Sequence, residues 1–256
     1  MRLSYQVSTP EVKKAAGVTA YQADLETSFK MLADNGYDGA ELMICEPAKI
    51  DADKIIRLSQ QYSLPICMVC SGEVFGQDGL CFTDSDPARR AEAIKRVKDA
   101  VDLSVKVGAN IVNIGRVQGI RQVAEYAGEK GALIALEPVN SIAATFINTT
   151  QQGIAVIDEI GLPSLKLMLD SNHMFIDDPD PMQSIEDAKG YFVFVHLVDS
   201  NRLYPGNCKL DFKQFLRKVK EVGYDGWVSV EVFQRPNQDV ALKKSIAHIR
   251  PILDNL

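Results

Sequence analysis

Short runs of β-forming residues alternate with longer helical runs from one end of the 256-residue chain to the other. Most of the short runs are nearly continuous in Val, Ile, Leu, Phe and Met, which is typical of parallel strands buried on both faces. The predicted strands are residues 2–7, 39–44, 65–71, 110–115, 133–138, 165–170, 192–198 and 227–233. The predicted helices are residues 24–35, 51–62, 87–107, 120–130, 150–160, 181–189, 211–222 and 238–255.

Eight strand–helix units either close into a barrel or lie open as a doubly wound sheet. Residues 8–12 after the first strand read Ser-Thr-Pro-Glu-Val and lack the glycine-rich phosphate loop of dinucleotide-binding sheets, which favours the barrel. The sequence Gly-Tyr-Asp-Gly occurs at two helix-to-strand turns, 36–39 and 223–226, as suits a fold of repeated units. Since no linker interrupts the alternation, we expect an α/β fold, a single-domain (β/α)8 TIM barrel over residues 1–256.

The charge balance excludes some partners. The chain has 28 Lys and Arg against 34 Asp and Glu, a formal net charge of −6 and a pI near 5.2. Because contacts to phosphates need a basic face, we expect no nucleic acid partner. The first residues lack the apolar run and cleavage site of a signal peptide, and no apolar stretch approaches the ~20 residues that span a bilayer. We therefore expect a cytoplasmic protein that does not associate with membranes.

Cys67 and Cys70 have the spacing of a redox or zinc motif, but they lie within a predicted strand. Side chains alternate along a strand, so residues three apart point to opposite faces. Thioredoxin-like pairs instead occur where a strand turns into a helix. We therefore interpret the two cysteines as small buried residues.

Four titratable residues mark the C-terminal ends of consecutive strands, where barrels of this kind place their active sites. Glu137 and Asp170 end the fifth and sixth strands, and His196 and Glu231 lie within the seventh and eighth. Burying several charges together is costly unless something compensates them, and a divalent cation does so directly. The alternative is a set of buried salt bridges or solvent-facing strand ends. Four such residues on consecutive strands, in a chain with three histidines, favour a metal site.

The predicted ligand set has three carboxylates and one imidazole. Such an oxygen-rich set suits Mn²⁺, Mg²⁺ or Co²⁺, while Zn²⁺ usually prefers more His or Cys. We expect one divalent ion, with Mn²⁺ favoured and Mg²⁺, Co²⁺ or Zn²⁺ as alternatives. His173 falls at the same end of the barrel, whereas His248 is predicted on the surface of the last helix. Glu41 and Glu73 lie near the ends of the second and third strands, where the alternatives are a side chain that faces the pocket and a peripheral ion pair, and we expect the ion pair for each.

These residues resemble those of the xylose-isomerase-like TIM barrels, a family of sugar phosphate isomerases and epimerases. The resemblance covers nearly the whole chain. It is sharpest in Leu-Glu-Pro-Val-Asn at 136–140, Asp-Ser-Asn-His at 170–173, His-Leu-Val-Asp-Ser-Asn-Arg at 196–202 and Val-Glu-Val at 230–232. The intervals between the four ligands look like those of the D-tagatose 3-epimerase branch. Glu-Pro-Val-Asn, followed by Asn-Thr-Thr at 148–150, also looks like hydroxypyruvate isomerases.

The resemblance implies roles for individual residues. Glu137 and Glu231 match two glutamates that are both metal ligands and acid/base groups on either side of the substrate carbon. His173 and Arg202 match residues that hold the substrate's hydroxyl and carbonyl oxygens. The chain departs from the family at Ala143, where ketose 3-epimerases have another glutamate. It departs again at residues 205–208, which read Pro-Gly-Asn-Cys instead of Pro-Gly-x-Gly.

The expected reaction is proton transfer next to the carbonyl of a ketose or hydroxy-ketone, through an enediolate. Return of the proton to the same carbon is epimerisation, and return to the neighbouring carbon is aldose–ketose isomerisation. The expected partner is a small carbohydrate, phosphorylated or not, and a homo-oligomer is compatible with the sequence. Three alternatives stay open: a dehydratase of a cyclic polyol ketone, a non-catalytic sugar-binding barrel and an apurinic endonuclease. The endonuclease would need three metals, more histidines and a basic face.

Overall fold

The computed structural model describes residues 1–115 and 119–256, and its eight strands form one closed parallel barrel in sequence order. Each strand pairs with the next, and β1 pairs with β8 to close the ring. This confirms the predicted single-domain (β/α)8 barrel. The strands are β1 Arg2–Ser8, β2 Gly39–Met43, β3 Ile66–Cys70, β4 Ile111–Ile114, β5 Leu133–Leu136, β6 Leu165–Asp170, β7 Phe192–Leu197 and β8 Trp227–Val230.

Ten α-helices lie within the described residues, two more than were predicted. They are α1 Leu25–Asp34, α2 Ala52–Tyr62, α3 Gly72–Gly76, α4 Pro87–Lys106, α5 Ile120–Glu129, α6 Thr150–Ile160, α7 Ser171–Asp177, α8 Pro181–Asp187, α9 Phe212–Glu221 and α10 Gln238–Asp254. The additional helices are α3 and α7, which follow β3 and β6 almost directly. Both are too short for a helical period to show in the sequence. No described helix has the length and apolarity to cross a membrane.

Polar residues at the helix ends have the roles that their positions predict. The Asp211 side chain accepts the N–H of Gln214 at the start of α9. At the start of α6, Thr149 accepts the N–H of Gln152, and the Gln152 side chain accepts in return from the Thr149 N–H. Gly36 and Gly223, in the repeated Gly-Tyr-Asp-Gly turns, have φ of +82° and +94°, a conformation that glycine adopts without strain.

The barrel strands are buried on both faces. Cys67 and Cys70 are both buried free thiols, as predicted, and they pack in different clusters. Cys67 contacts the Ser4 hydroxyl at 3.2 Å within the barrel, while Cys70 packs beside Met43 and Cys45. At the C-terminal ends of the strands, buried polar side chains replace the apolar lining. The barrel is therefore a packed core with one polar mouth.

The capping box of α6 gives a direct test of local stability. We expect Thr149→Ala to lower the free energy of unfolding by about 1 kcal/mol, because the Gln152 N–H loses its acceptor. Urea denaturation of the two proteins measures this difference. Glu159→Ala, at an exposed position on the same helix, is the control and should change stability by no more than about 0.5 kcal/mol. Equal effects of the two substitutions would contradict the assignment.

Candidate metal centre and active site

The four residues predicted as metal ligands lie together at the polar mouth of the barrel. Glu137 follows β5 directly, Asp170 ends β6, His196 lies in β7 and Glu231 follows β8 directly. All four are buried, and one ligand atom from each lies within 4.8 Å of the others. Parallel strands of a closed barrel end on one rim, which explains why residues far apart in sequence converge here.

Three polar atoms of this cluster face its centre without a hydrogen-bond partner in the described part of the chain. They are Glu137 Oε1, Asp170 Oδ2 and His196 Nδ1. The Nδ1 atom lies 3.4 Å from Glu137 Oε1, 3.6 Å from Glu231 Oε2 and 4.0 Å from Asp170 Oδ2. Leaving such atoms unpaired in a buried site is costly, so a partner that satisfies all of them at once is expected. Three carboxylates and one imidazole fit a divalent cation.

The second oxygen of each of two carboxylates is fixed by the protein. Asp170 Oδ1 accepts the backbone N–H groups of Asn172 and His173, each at 2.8 Å, and so caps α7. Glu137 Oε2 accepts from the Asn113 side-chain amide at 2.8 Å. Each carboxylate is therefore held by one oxygen while the other points to the centre of the cluster. Asn113 and this use of Asp170 were not found from the sequence.

Glu41 was expected in a peripheral ion pair, and this prediction is wrong. Its carboxylate is fully buried inside the barrel and lies 3.1 and 3.2 Å from His196 Nε2. The Gln6 side-chain amide also donates to it at 2.8 Å, since Gln6 and Glu41 are register partners on β1 and β2. A carboxylate on Nε2 fixes the ring orientation and leaves Nδ1 facing the cluster. Glu73 is half-buried on α3 and forms no ion pair with a described residue.

Electrostatics around His196 reflect this crowding of acidic groups. Burial alone would lower the pKa of His196, but Glu41, Glu231 and Glu137 raise it well above its ordinary value. Burial would likewise raise the pKa of Glu231, but His196 and Arg202 hold it below the usual value. The Glu231 carboxylate is therefore ionised at neutral pH, which is the state that a metal ligand or a general base needs.

His173 and Arg202, the predicted substrate-binding residues, lie beside the cluster. The Arg202 guanidinium is 3.3 Å from Glu231 Oε2 and 3.8 Å from Asp170 Oδ2. His173 Nε2 lies 3.5 Å from the same guanidinium and 3.9 Å from Glu137 Oε1. The other ring nitrogen of His173 is 2.7 Å from the Asn140 side-chain amide. His173 stands in the first turn of α7, the helix that Asp170 caps. His248 is exposed on α10, as predicted.

Asp199 is a further functional candidate that sequence reasoning missed. It is fully buried, and its carboxylate accepts five backbone N–H groups at 2.7–3.2 Å from the loop after β7. The donors are Ser200, Gly206, Cys208, Lys209 and Leu210. Within this loop Arg202 has φ of +62°, and its N–H donates to the Asp199 carbonyl at 2.8 Å. Asp199 thus sets the loop conformation that brings the Arg202 guanidinium to the cluster.

A cavity of about 600 Å³ opens beside the cluster. Glu137, His173, Arg202 and Glu231 line it, together with Ala143 from the loop after β5. This volume lies in the range that small-molecule sites occupy. The groups next to the cluster can bind oxygen atoms and move protons, which suits a polyhydroxylated ligand.

Comparison with known proteins identifies the family of this chain and relatives of similar sequence and fold. The family model described as xylose isomerase-like TIM barrel matches residues 29–252. The L-ribulose 3-epimerase of Methylomonas sp. (strain DH-1) is 28% identical over 230 residues, which cover 82% of this chain and 79% of that protein. The L-ribulose 3-epimerase of Mesorhizobium japonicum is 26% identical over 88% of this chain and 81% of its own. The Methylomonas D-allulose 3-epimerase complex with D-allulose superposes with a TM-score of 0.80 at 23% identity, covering 98% and 97% of the two chains.

Weakening the contact between Glu41 and His196 is expected to lower the affinity of the site for the metal ion. We expect Glu41→Gln to weaken Mn²⁺ binding about 10- to 100-fold, because the imidazole loses the charged group that orients it. Titration of the metal-stripped protein with Mn²⁺, followed by electron paramagnetic resonance, measures free and bound ion. Glu73→Gln removes an acidic charge near the same mouth without touching His196 and should bind Mn²⁺ like the unmodified protein. Equal affinities for both variants would exclude the positioning role of Glu41.

Proposed function

The chain belongs to the xylose isomerase-like TIM barrel family, and from this premise we propose that it is a divalent-metal-dependent epimerase of a ketose or related hydroxy-ketone sugar. The observation that carries the proposal is the buried group of Glu137, Asp170, His196 and Glu231, three of whose atoms lack hydrogen-bond partners among the described residues. The relatives described above are 3-epimerases of keto sugars, which supports the same reaction class.

We propose that these four residues hold the metal ion, and we favour Mn²⁺ because the set is oxygen-rich with one nitrogen. When bound, such an ion supplies a Lewis acid that polarises the substrate carbonyl and stabilises the enediolate. The protein contributes a fixed ligand geometry. Asn113 and the first turn of α7 restrain the carboxylates, and Glu41 restrains the imidazole.

The proton transfer itself is assigned to Glu137 and Glu231. They come from β5 and β8 and approach the centre from different parts of the rim, so they can address the two faces of one substrate carbon. One glutamate removes the α-proton as a general base, and the other returns a proton to the opposite face. His173 and Arg202 are proposed to hold the substrate's oxygen atoms, since both lie within 4 Å of the acidic cluster.

Several observations favour this function over the alternatives. The relatives are epimerases, which gives no support to dehydration or to sugar binding without catalysis. One cluster of metal-ligand type exists in residues 1–115 and 119–256, whereas an apurinic endonuclease would need three metal ions. The net charge of −6 also disfavours a nucleic acid substrate. Ala143 lines the cavity without a carboxylate, so we expect the substrate to differ from that of ketose 3-epimerases with glutamate there.

The proposed reaction exchanges a carbon-bound hydrogen with solvent. With Mn²⁺ in D₂O, we expect the protein to introduce deuterium at the carbon next to the carbonyl in at least one of a broad set of keto sugars that includes D-allulose, L-ribulose and D-fructose, detected by proton nuclear magnetic resonance. Removal of the metal with a chelator should abolish exchange, and added Mn²⁺ should restore it. Exchange that survives complete metal removal, or none on any of a broad set of keto sugars, would contradict the proposal.

The acid/base assignment predicts a separation of catalysis from metal binding. We expect Glu231→Gln to lower kcat by at least about 10²-fold, because an amide cannot accept the substrate proton. Steady-state assays at saturating Mn²⁺ measure kcat, and metal analysis of the same samples verifies that the ion is retained. Glu73→Gln, outside the cavity lining, is the matched control and should retain full activity. Near-normal turnover of Glu231→Gln with bound metal would exclude the role of Glu231.

A further inference from the structure

The cavity has a charged part and an apolar part. Among the described residues that line it, the charged side chains are Glu137 and Glu231, which belong to the proposed metal site, and Arg202, which lies beside it. The remaining lining comes largely from α3, the segment after it, α4, the loop after β5 and α7. We call its apolar portion the apolar lobe, defined by Val74, Leu80, Phe82, Val97, Ile142 and Ile176.

The apolar lobe combines a buried floor with an exposed rim. Val74, Leu80, Phe82 and Val97 are all less than a tenth exposed, so packing fixes them in place. Ile142 is 83% exposed and Ile176 is 38% exposed, although both are large aliphatic residues. Because both side chains line the cavity, a ligand in the cavity would cover apolar surface that is otherwise in contact with water. A free polyhydroxylated sugar would gain little from such a surface, because its hydroxyl groups would lose water without finding partners.

The cavity is also larger than a free hexose requires. A hexose has twelve non-hydrogen atoms, and at the ~30 Å³ that one water occupies in the liquid they would fill no more than about 360 Å³. The cavity measures about 600 Å³. The difference leaves room for a substituent of several carbon atoms beyond the sugar.

We propose that the substrate is a hydroxy-ketone sugar that carries an apolar substituent at the end remote from its carbonyl, and that the apolar lobe binds this substituent. The inference rests on the proposed function, because the charged part of the cavity must hold the carbonyl end. The occupant is part of the same molecule since the lobe and the charged part form one continuous cavity. A phosphorylated substituent is disfavoured, because Arg202 is the one cation in the described lining and lies beside Glu231, at the end proposed to hold the carbonyl and not in the apolar lobe.

Three probes test the preference for an apolar substituent. Calorimetry with the Mn²⁺-loaded protein compares D-fructose, 6-O-butyl-D-fructose and D-fructose 6-phosphate. We expect the butyl ether to bind at least tenfold more tightly than D-fructose, since each buried CH₂ group contributes about three- to fourfold. The phosphate should bind no more tightly than D-fructose. A butyl ether that binds equally or more weakly than the parent sugar, or a phosphate that binds more tightly than both, would overturn the proposal.

Neighbouring residues provide matched controls for the lobe itself. Ile142→Ser and Ile176→Ser remove rim side chains, and each should reduce the affinity ratio of butyl ether to D-fructose at least threefold. Phe146→Ser and Phe175→Ser remove exposed apolar groups from the same loop and helix, but outside the cavity lining, and should leave the ratio unchanged. An equal loss in all four variants would mean that a second copy of the chain or a general loop effect is responsible, which overturns the lobe assignment.

Deuterium exchange separates this inference from the proposed function. Exchange at C3 of D-fructose without any advantage for the butyl ether would retain the epimerase and exclude the apolar lobe as a substituent site. A tenfold tighter butyl ether without exchange on the three probes or on any of the broad set of keto sugars would retain the lobe and contradict the proposed reaction. Both results together, exchange and the advantage of the ether, support the complete proposal.

Discussion

Mutual repulsion of buried carboxylates is the constraint on which the mouth of this barrel depends. Four carboxylates surround the imidazole of His196: Glu41, Glu137, Asp170 and Glu231. Burying any one of them without a compensating partner would be energetically costly. The protein offsets this repulsion with His196 and Arg202 and with amide donors to individual oxygens. These contacts leave a small set of unpaired atoms that all face one point. The same constraint that makes the site costly therefore creates a group of residues that could hold a cation.

The arrangement is layered, and each layer fixes the next. Backbone and amide donors restrain the carboxylates, Glu41 restrains the imidazole, and Asp199 restrains the loop that carries Arg202. Asp170 belongs to two layers, because one oxygen caps α7 and the other faces the cluster. Since His173 stands in the first turn of α7, the proposed metal centre and the proposed substrate contacts share a common support. Such support from outside the first set of contacts is what gives functional sites their precision.

The sequence was sufficient for the barrel and for the convergence of Glu137, Asp170, His196 and Glu231. Eight apolar runs give the strand count, and parallel strands in a closed ring must end on one rim. The sequence did not predict that the Glu41 side chain contacts His196 across the barrel. A single sequence does not indicate which residues of different strands face each other. It was also insufficient for α7, a helix of two turns, and for Asp199, whose partners are backbone amides.

The contacts of Asp199 also bear on how this loop can diverge between relatives. Every group that its carboxylate binds is a backbone N–H, which all residues except proline provide. Gly206 has φ of +84° and its place in the loop therefore favours glycine, whereas Cys208 lies outside the left-handed region and contributes only its N–H. The replacement of the expected glycine by Cys208 thus leaves the anchoring intact. A loop anchored through its main chain can change its side chains from one family member to another while the guanidinium of Arg202 stays in place.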